Sequence, residues 1–179
     1  MTFSSPLLDP AVSLAVTLRG NMDHNEMIQY MISQIVGGIL GGLCGGIVSS
    51  SYSVVAMGDD ASYLQALLAE FIFTFILCFV ILLVATNPKV ENNHYYGLAI
   101  GLVVASGAIS VGNISGGAFN PAVVFGLNLT AGFSNLGYGC LVALSNLIGG
   151  VAAAGCFRIV ISEDEEPSGS AGERTPLNA

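Results

Sequence analysis

Four stretches of this chain, near residues 27–50, 63–86, 95–111 and 137–161, are almost free of charge. Each is close to the about 20 residues that a helix needs to cross hydrocarbon. A chain built this way has few places to fold. A soluble domain carries roughly a quarter of its residues charged, enough to coat its surface. Here charged residues make up 9% and hydrophobic ones 53%, so no such coat is available and the runs belong in a bilayer. The first and last runs are dense in small residues, with Gly37, Gly38, Gly41, Gly42, Gly45 and Gly46 in one and Gly149, Gly150 and Gly155 in the other. Glycine weakens a helix in water, but in lipid it lets helix backbones approach closely.

The charges that remain are informative by position. Arg19 precedes the first run, Lys89 lies between the second and third, and Arg158 and Arg174 lie at and after the end of the fourth. Four spans put all of these on one side, cytosolic by the positive-inside rule, together with both termini. The intervening stretches 51–62 and 112–136 contain no Lys or Arg, which agrees with that topology. From residue 162 the composition turns polar and acidic, so the chain divides into a membrane domain over 1–161 and a disordered cytosolic tail over 162–179. Four cations among 179 residues form no basic patch, which excludes nucleic acid as a partner. Cys44, Cys78, Cys140 and Cys156 lie in apolar segments without a CxxC or a paired His, and are expected to be buried, unreactive thiols with no metal or cofactor. His24 and His94 fall in connections with no nucleophile near them, so catalysis has no support. Met1 is not followed by a basic region and a short apolar core, so no cleavable signal is expected.

Two segments outside the long runs repeat one another. Ser4-Ser5-Pro6-Leu7-Leu8-Asp9-Pro10-Ala11-Val12 aligns with Ser115-Gly116-Gly117-Ala118-Phe119-Asn120-Pro121-Ala122-Val123. Each precedes a long run with a matching core, Ile35-Val36-Gly37-Gly38 against Leu147-Ile148-Gly149-Gly150. Three spans separate the copies, and an odd number gives them opposite orientations in the membrane, an inverted repeat. Asn and Asp are strong N-caps and Pro is favoured at the first helical position, so Asp9-Pro10 and Asn120-Pro121 predict helix starts. The apolar stretches after them, ending near Arg19 and Thr130, are too short to span. They are read as half-helices whose positive ends meet near mid-membrane.

With Gly116-Gly117 before it and Phe125-Gly126 after it, Asn120-Pro121-Ala122 resembles the second signature loop of the aquaporin, or major intrinsic protein, family. Asp9-Pro10-Ala11-Val12 resembles an altered first loop, Tyr30…Gln34…Gly38 the family's third helix, and Ala69-Glu70-Phe71…Thr74-Phe75 its fourth. The resemblance covers roughly residues 3–161 and implies an all-α, inverted-repeat helical bundle with two membrane-entering half-helices. The first two transmembrane helices of a complete six-span member have no counterpart here, which would leave one pore wall open. The expectation is that another subunit completes the chain, or that it is an N-terminally truncated product or an incomplete gene model of a longer one.

The same resemblance implies roles for residues. Asn120 would offer amide N–H donors to passing solutes, and Glu70 would accept hydrogen bonds from a signature loop. Ala108, Gly117 and Val123 fall on selectivity-filter positions. Many members carry Arg where Val123 stands, and three small or apolar residues imply a wide, weakly polar mouth. Asp9 departs from the family's Asn: the helix dipole favours its anion, a dry midplane favours its protonated acid, and the sequence leaves both open. The expected function is passive passage of water or small uncharged solutes such as glycerol, urea, ammonia or hydrogen peroxide, in a tetramer if the family habit holds. The alternatives are a non-conducting subunit that associates with complete family members and an ion-coupled secondary transporter. The latter is disfavoured because Asp9 and Glu70 are the only charges placed to couple an ion. Asn113-Ile114-Ser115 and Asn128-Leu129-Thr130 match the glycosylation pattern but are expected to lie in the membrane, unused.

Overall fold

The computed structural model describes residues 7–90 and 93–162; the acidic tail from 163 onward and the Ser4-Ser5-Pro6 part of the repeat lie outside them. Six α-helices form within the described residues: α1 (Pro10–Arg19), α2 (His24–Ser49), α3 (Tyr63–Ala85), α4 (Tyr96–Ser115), α5 (Pro121–Thr130) and α6 (Leu136–Ser162). The four long ones are long and apolar enough to cross a membrane, and α1 and α5 are the two short ones.

The short helices start where the cap chemistry requires. Asp9 and Asn120 both have extended backbones, and each accepts at 2.8 Å from the N–H two residues on, Ala11 and Ala122, with proline at the first helical position. Two boundaries differ from the sequence expectation. Asp23 caps α2, so His24 opens a helix rather than sitting in a connection. The α4 helix continues to Ser115, past the end of its apolar run, and stops at Gly116, whose φ of 93° makes a left-handed C-cap. Asn113 is therefore helical.

The repeat becomes a pseudo-two-fold in the packing. A Cβ added to Gly38 of α2 would lie 2.3 Å from the Ala122 carbonyl oxygen of α5, and one added to Gly150 of α6 would lie 2.6 Å from the Ala11 carbonyl oxygen of α1. Ala11 and Ala122 are matching positions of the repeat, as are Gly38 and Gly150. Each long helix thus presses its glycine onto the half-helix of the opposite repeat, a contact only a missing side chain permits. Further along, α2 meets α5 again, with the Gly42 position 2.8 Å from the Gly126 carbonyl oxygen.

The α3 helix runs beside α6 in the same direction. Ser145 Oγ donates to the Leu67 carbonyl at 2.7 Å near one end, and the Phe79 and Phe157 rings lie 6.4 Å apart near the other. At that second end Arg158 donates to the Leu18 carbonyl and the Arg19 guanidinium sits 4.6 Å above the Phe157 ring. Lys89 follows the end of α3, so the three described cations share one end of the bundle.

On α2 the glycines divide into two rows. Gly38 and Gly42 touch α5, whereas Gly37, Gly41 and Gly45 have nothing within 4 Å of an added Cβ. The positions that match Gly37, Gly41 and Gly45 on α6 are Gly149, Ala153 and Phe157, and all three are buried. The Gly149 position abuts the Phe71 carbonyl of α3 at 2.8 Å. The difference is that α3 stands against α6 while no described helix stands in the matching place against α2. The cysteine expectation is corrected as well: Cys78 is buried, but Cys44 and Cys140 are exposed and Cys156 is intermediate. Apolar sequence in a membrane helix does not distinguish a lipid-facing from a protein-facing side.

These contacts predict that Gly38→Ala and Gly150→Ala each destabilise the protein by about 1–3 kcal/mol, because the new methyl meets backbone that cannot yield. Gly37→Ala and Gly41→Ala, with open space at the same spacing, should match or exceed wild type. Thermal melts of the detergent-solubilised variants read both outcomes.

Candidate pore site

The two half-helix N-termini meet. Asn120 Nδ2 donates to the Leu8 carbonyl at 2.9 Å, joining the residue that caps α5 to the one before the cap of α1. Side chains from the long helices hold the two loops, and each does so by satisfying backbone groups that the bilayer offers no water to satisfy.

The loop before α5 is held by Glu70, fully buried on α3. Its Oε1 accepts from Ser115 Oγ at 2.8 Å and Ala118 N–H at 3.0 Å, and its Oε2 accepts from Phe119 N–H at 2.7 Å. Four donors converge once Asn146 of α6 is counted. With its amide oriented as the surrounding network requires, Asn146 donates to Glu70 Oε2 at 3.1 Å and accepts from Asn120 N–H at 3.0 Å. A carboxylate surrounded by donors needs no counter-cation. Phe119 is held with φ of 46°, a left-handed conformation that costs a non-glycine residue roughly 1–2 kcal/mol. The Glu70 bond and the Phe119 ring's contact with Phe73, centroids 5.4 Å apart, offset that. Tyr138 Oη donates to the Ser115 carbonyl at 2.7 Å and completes the clamp.

The loop before α1 is held differently. Gln34 Nε2 of α2 donates to the Leu7 carbonyl at 3.0 Å and to Ser13 Oγ at 2.8 Å, and Ser13 Oγ in turn donates to the Asp9 carbonyl at 3.1 Å. Asp9 is buried with Oδ1 on its cap bond, while Oδ2 finds no partner among the described residues, and neither does Gln34 Oε1.

Asp9, Asn120 and Val123 border a cavity of about 410 Å³, whose other walls are Leu77, Ile81 and Ala85 of α3 and Tyr96, Ile100 and Val104 of α4. Pro10, Ala11, Pro121 and Ala122 lie behind it as buried starts of their half-helices. Ala108 and Gly117 do not border it. They adjoin one another instead, the Gly117 Cβ position being 3.7 Å from the Ala108 Cα, and Gly117 has φ of 61°. Asn128, a match to the glycosylation pattern, is fully buried: its Oδ1 accepts from Val55 N–H at 2.8 Å and its Nδ2 donates to the Asn135 carbonyl at 3.2 Å, fixing the connection between α2 and α3. Sequence reasoning gave no role to Gln34, Asn146 or Asn128. The signal for the first two was present, since both stand immediately before the matched apolar-Gly-Gly cores of the repeat.

Two half-helices joined at their N-termini, gripped by buried polar side chains of apolar spans and set beside an apolar cavity, define a membrane protein of the inverted-repeat class. The model of one family, Major intrinsic protein, matches residues 3–111 and again 61–177, and the chain belongs to that family of integral membrane channels, which are not enzymes. It is 36% identical over 106 residues to Aquaporin AqpM of Methanothermobacter marburgensis, covering 57% of this chain and 43% of that protein. It is 32% identical over 127 residues to Aquaporin TIP4-1 of Zea mays, covering 70% and 50%. With Nodulin-26 of Glycine max it shares 33% over 126 residues, covering 65% and 45%. The fold resembles the X-ray structure of the aquaglyceroporin from Plasmodium falciparum, with a TM-score of 0.72, 21% identity, and coverage of 87% of this chain and 73% of that one. The chain spans about half the length of the relatives it matches.

The Glu70 clamp predicts that Glu70→Gln, which turns one acceptor into a donor facing donors, costs at least about 2–3 kcal/mol. Glu70→Ala should cost more, leaving the Phe119 and Ala118 N–H groups without partners in a dry interior. The fraction of monodisperse protein surviving a heat challenge, read by gel filtration in detergent, orders the variants.

Proposed function

We propose that this chain forms the greater part of a passive channel for water and small uncharged solutes, with both termini on the cytosolic side. The observation that carries the reading is the meeting of two oppositely inserted half-helices at Asn120 and Leu8, beside an apolar cavity. Both half-helices present their positive ends at that junction, which opposes cations and orients a water oxygen toward it. An amide nitrogen has two hydrogens. One on Asn120 is engaged by the Leu8 carbonyl, and the other is available to a solute oxygen. Val123 gives the wall beside the junction a methyl surface where a cationic side chain would narrow it and bind water. The methyl wall that Val123 sets beside the junction favours solutes such as urea, glycerol, ammonia or hydrogen peroxide over water alone, while Ala108 and Gly117, the other two filter positions of the family resemblance, adjoin one another away from this cavity.

A second reading, a subunit that completes its pore by associating with family members or with copies of itself in a tetramer, is favoured by one feature. The Gly37, Gly41 and Gly45 row of α2 is open, and the cavity takes its long-helix walls from α3 and α4 alone among the described residues.

The test is stopped-flow light scattering on proteoliposomes containing the full chain, with water, urea and glycerol gradients. Flux above that of empty vesicles supports the channel reading. Val123→Arg should then lower urea permeability by about tenfold or more, an added barrier of about 1.4 kcal/mol. Flux equal to empty vesicles, with co-purification of a complete family member from cells expressing both, supports the subunit reading instead.

A further inference from the structure

The pseudo-two-fold carries one bond that is seen on one side and not on the other. It maps Asn120 onto Asp9 and Phe119 onto Leu8. On one side, Asn120 uses its Oδ1 to cap α5 and its Nδ2 to donate to the Leu8 carbonyl. On the other, Asp9 uses its Oδ1 to cap α1 in the same way. In the repeat its Oδ2 corresponds to the donor Nδ2 of Asn120, and the corresponding acceptor is the carbonyl of Phe119, a residue that borders the same cavity as Asp9. Among the described residues Oδ2 has no partner, although Asp9 is only 6% exposed, and no hydrogen bond to the Phe119 carbonyl is found. A buried carboxylate oxygen without a donor and a carbonyl without a described bond each carry the penalty of an unmade bond. A single proton satisfies both.

We propose that Asp9 is a buried proton-binding site, its carboxyl holding a proton on Oδ2 and donating it to the Phe119 carbonyl as Asn120 Nδ2 donates to the Leu8 carbonyl. The neighbouring side chains fit a neutral acid, against the pull of the positive half-helix ends toward the anion. From α3 come the Cys78 thiol, buried in one apolar cluster with Ala11 and Val12, and Glu70, whose oxygens are committed to the other loop. From α2 comes the neutral amide of Gln34, from α5 that of Asn120, and α4 contributes the Tyr96 phenol to the same cavity. On α6 the contact with this half-helix is Gly150, without a side chain. The nearest cation on its own helix, Arg19, is ten residues away along α1, about 15 Å of rise. In the protonated form both signature loops end in a neutral group with one acceptor and one donor, and the junction keeps the charge balance of an Asn pair. The consequence for flux rests on the channel reading; the protonation does not.

Infrared difference spectroscopy of the full chain in lipid at pH 7 reads the proton directly. Exposed aspartates titrate near pH 3.9 and are ionised there. The expected result is a protonated-carboxyl C=O band in wild type that is absent from Asp9→Asn. If that variant does not accumulate, ¹³C-carboxyl aspartate labelling of wild type serves. Asp23, Asp59 and Asp60 are exposed and Asp164 lies in the acidic tail sequence, so a protonated band that shifts with the label at pH 7 is that of Asp9, and Glu70 does not shift. Absence of any such band shows an ionised Asp9 and overturns the proposal. In proteoliposomes that conduct, wild type and Asp9→Asn should have equal solute flux at neutral pH and diverge by a factor of two or more only above the pH at which the band is lost. Divergence at neutral pH with the band present overturns the functional equivalence of the protonated acid and the amide. Vesicles that do not conduct bear on the channel reading and leave the spectroscopic result standing.

Discussion

A helix that begins in the middle of a bilayer brings with it several N–H groups that no water can reach, and each left unpaired costs several kcal/mol. This bundle contains two such helices, and much of the remaining architecture follows from satisfying them. Asp9 and Asn120 cap their own helices, but the loops that lead to the caps carry further polar backbone. Those groups are met by Gln34, Glu70 and Asn146, each on a long apolar span. A side chain bonding at 2.7–3.1 Å demands that its helix stand within a fraction of an ångström of one place. That demand accounts for the glycines at the crossings: Gly38 and Gly150 let the spans bearing Gln34 and Asn146 lie directly on the half-helices of the opposite repeat.

The two halves meet this demand unequally. The loop before α5 has a carboxylate with at least three donors, an asparagine that joins the carboxylate to the cap, and a tyrosine closing the remaining carbonyl. Its backbone can hold Phe119 in a left-handed conformation because so many contacts determine it. The loop before α1 has one glutamine and one serine, and leaves an oxygen of Gln34 and one of Asp9 without described partners. The reason lies in the spans. Glu70 comes from α3, and α3 stands against α6 at Gly149, whereas the corresponding row on α2 has open space.

Much of this fold was legible because membrane solvation is a coarse filter. Charge-free runs of spanning length gave four helices of the right number and order, and the Asp-Pro and Asn-Pro dipeptides gave the half-helix starts to the residue. The inverted repeat gave the relation between them. Helix faces were less legible. Gly37 and Gly38 are neighbours of one type, yet one meets a carbonyl and the other open space, and only the third dimension separates them. Cys44 and Cys140, exposed although they lie in apolar runs, show the same limit of hydropathy. At the candidate site, Asp9, Asn120 and Glu70 stood out as residues that do not belong in a bilayer unless employed. Gln34, Asn146 and Asn128 are neutral amides that did not stand out, although they carry as many of the loop contacts. The end of α4 was placed too early because hydropathy falls at Gly112-Asn113, while the helix is continued by the Ser115 contact to Glu70, 45 residues away in sequence.

The requirements at the junction narrow what can occupy the first position of each signature. The group must accept from an N–H of its own helix and donate to a carbonyl of the opposite loop, so it needs an acceptor and a donor on one short planar unit. Serine and threonine cap helices well but offer a single oxygen that cannot reach across while capping. Glutamine carries the right atoms one methylene too far. Asparagine fits as it stands, and it is what α5 has. A carboxyl group fits in shape, but its ionised form supplies two acceptors and no donor. Aspartate at this point therefore makes the chemistry of the junction depend on one proton. The side chains around it, neutral amides, a thiol and methyl groups, supply no cation against that proton, and what opposes it is the positive end of each half-helix.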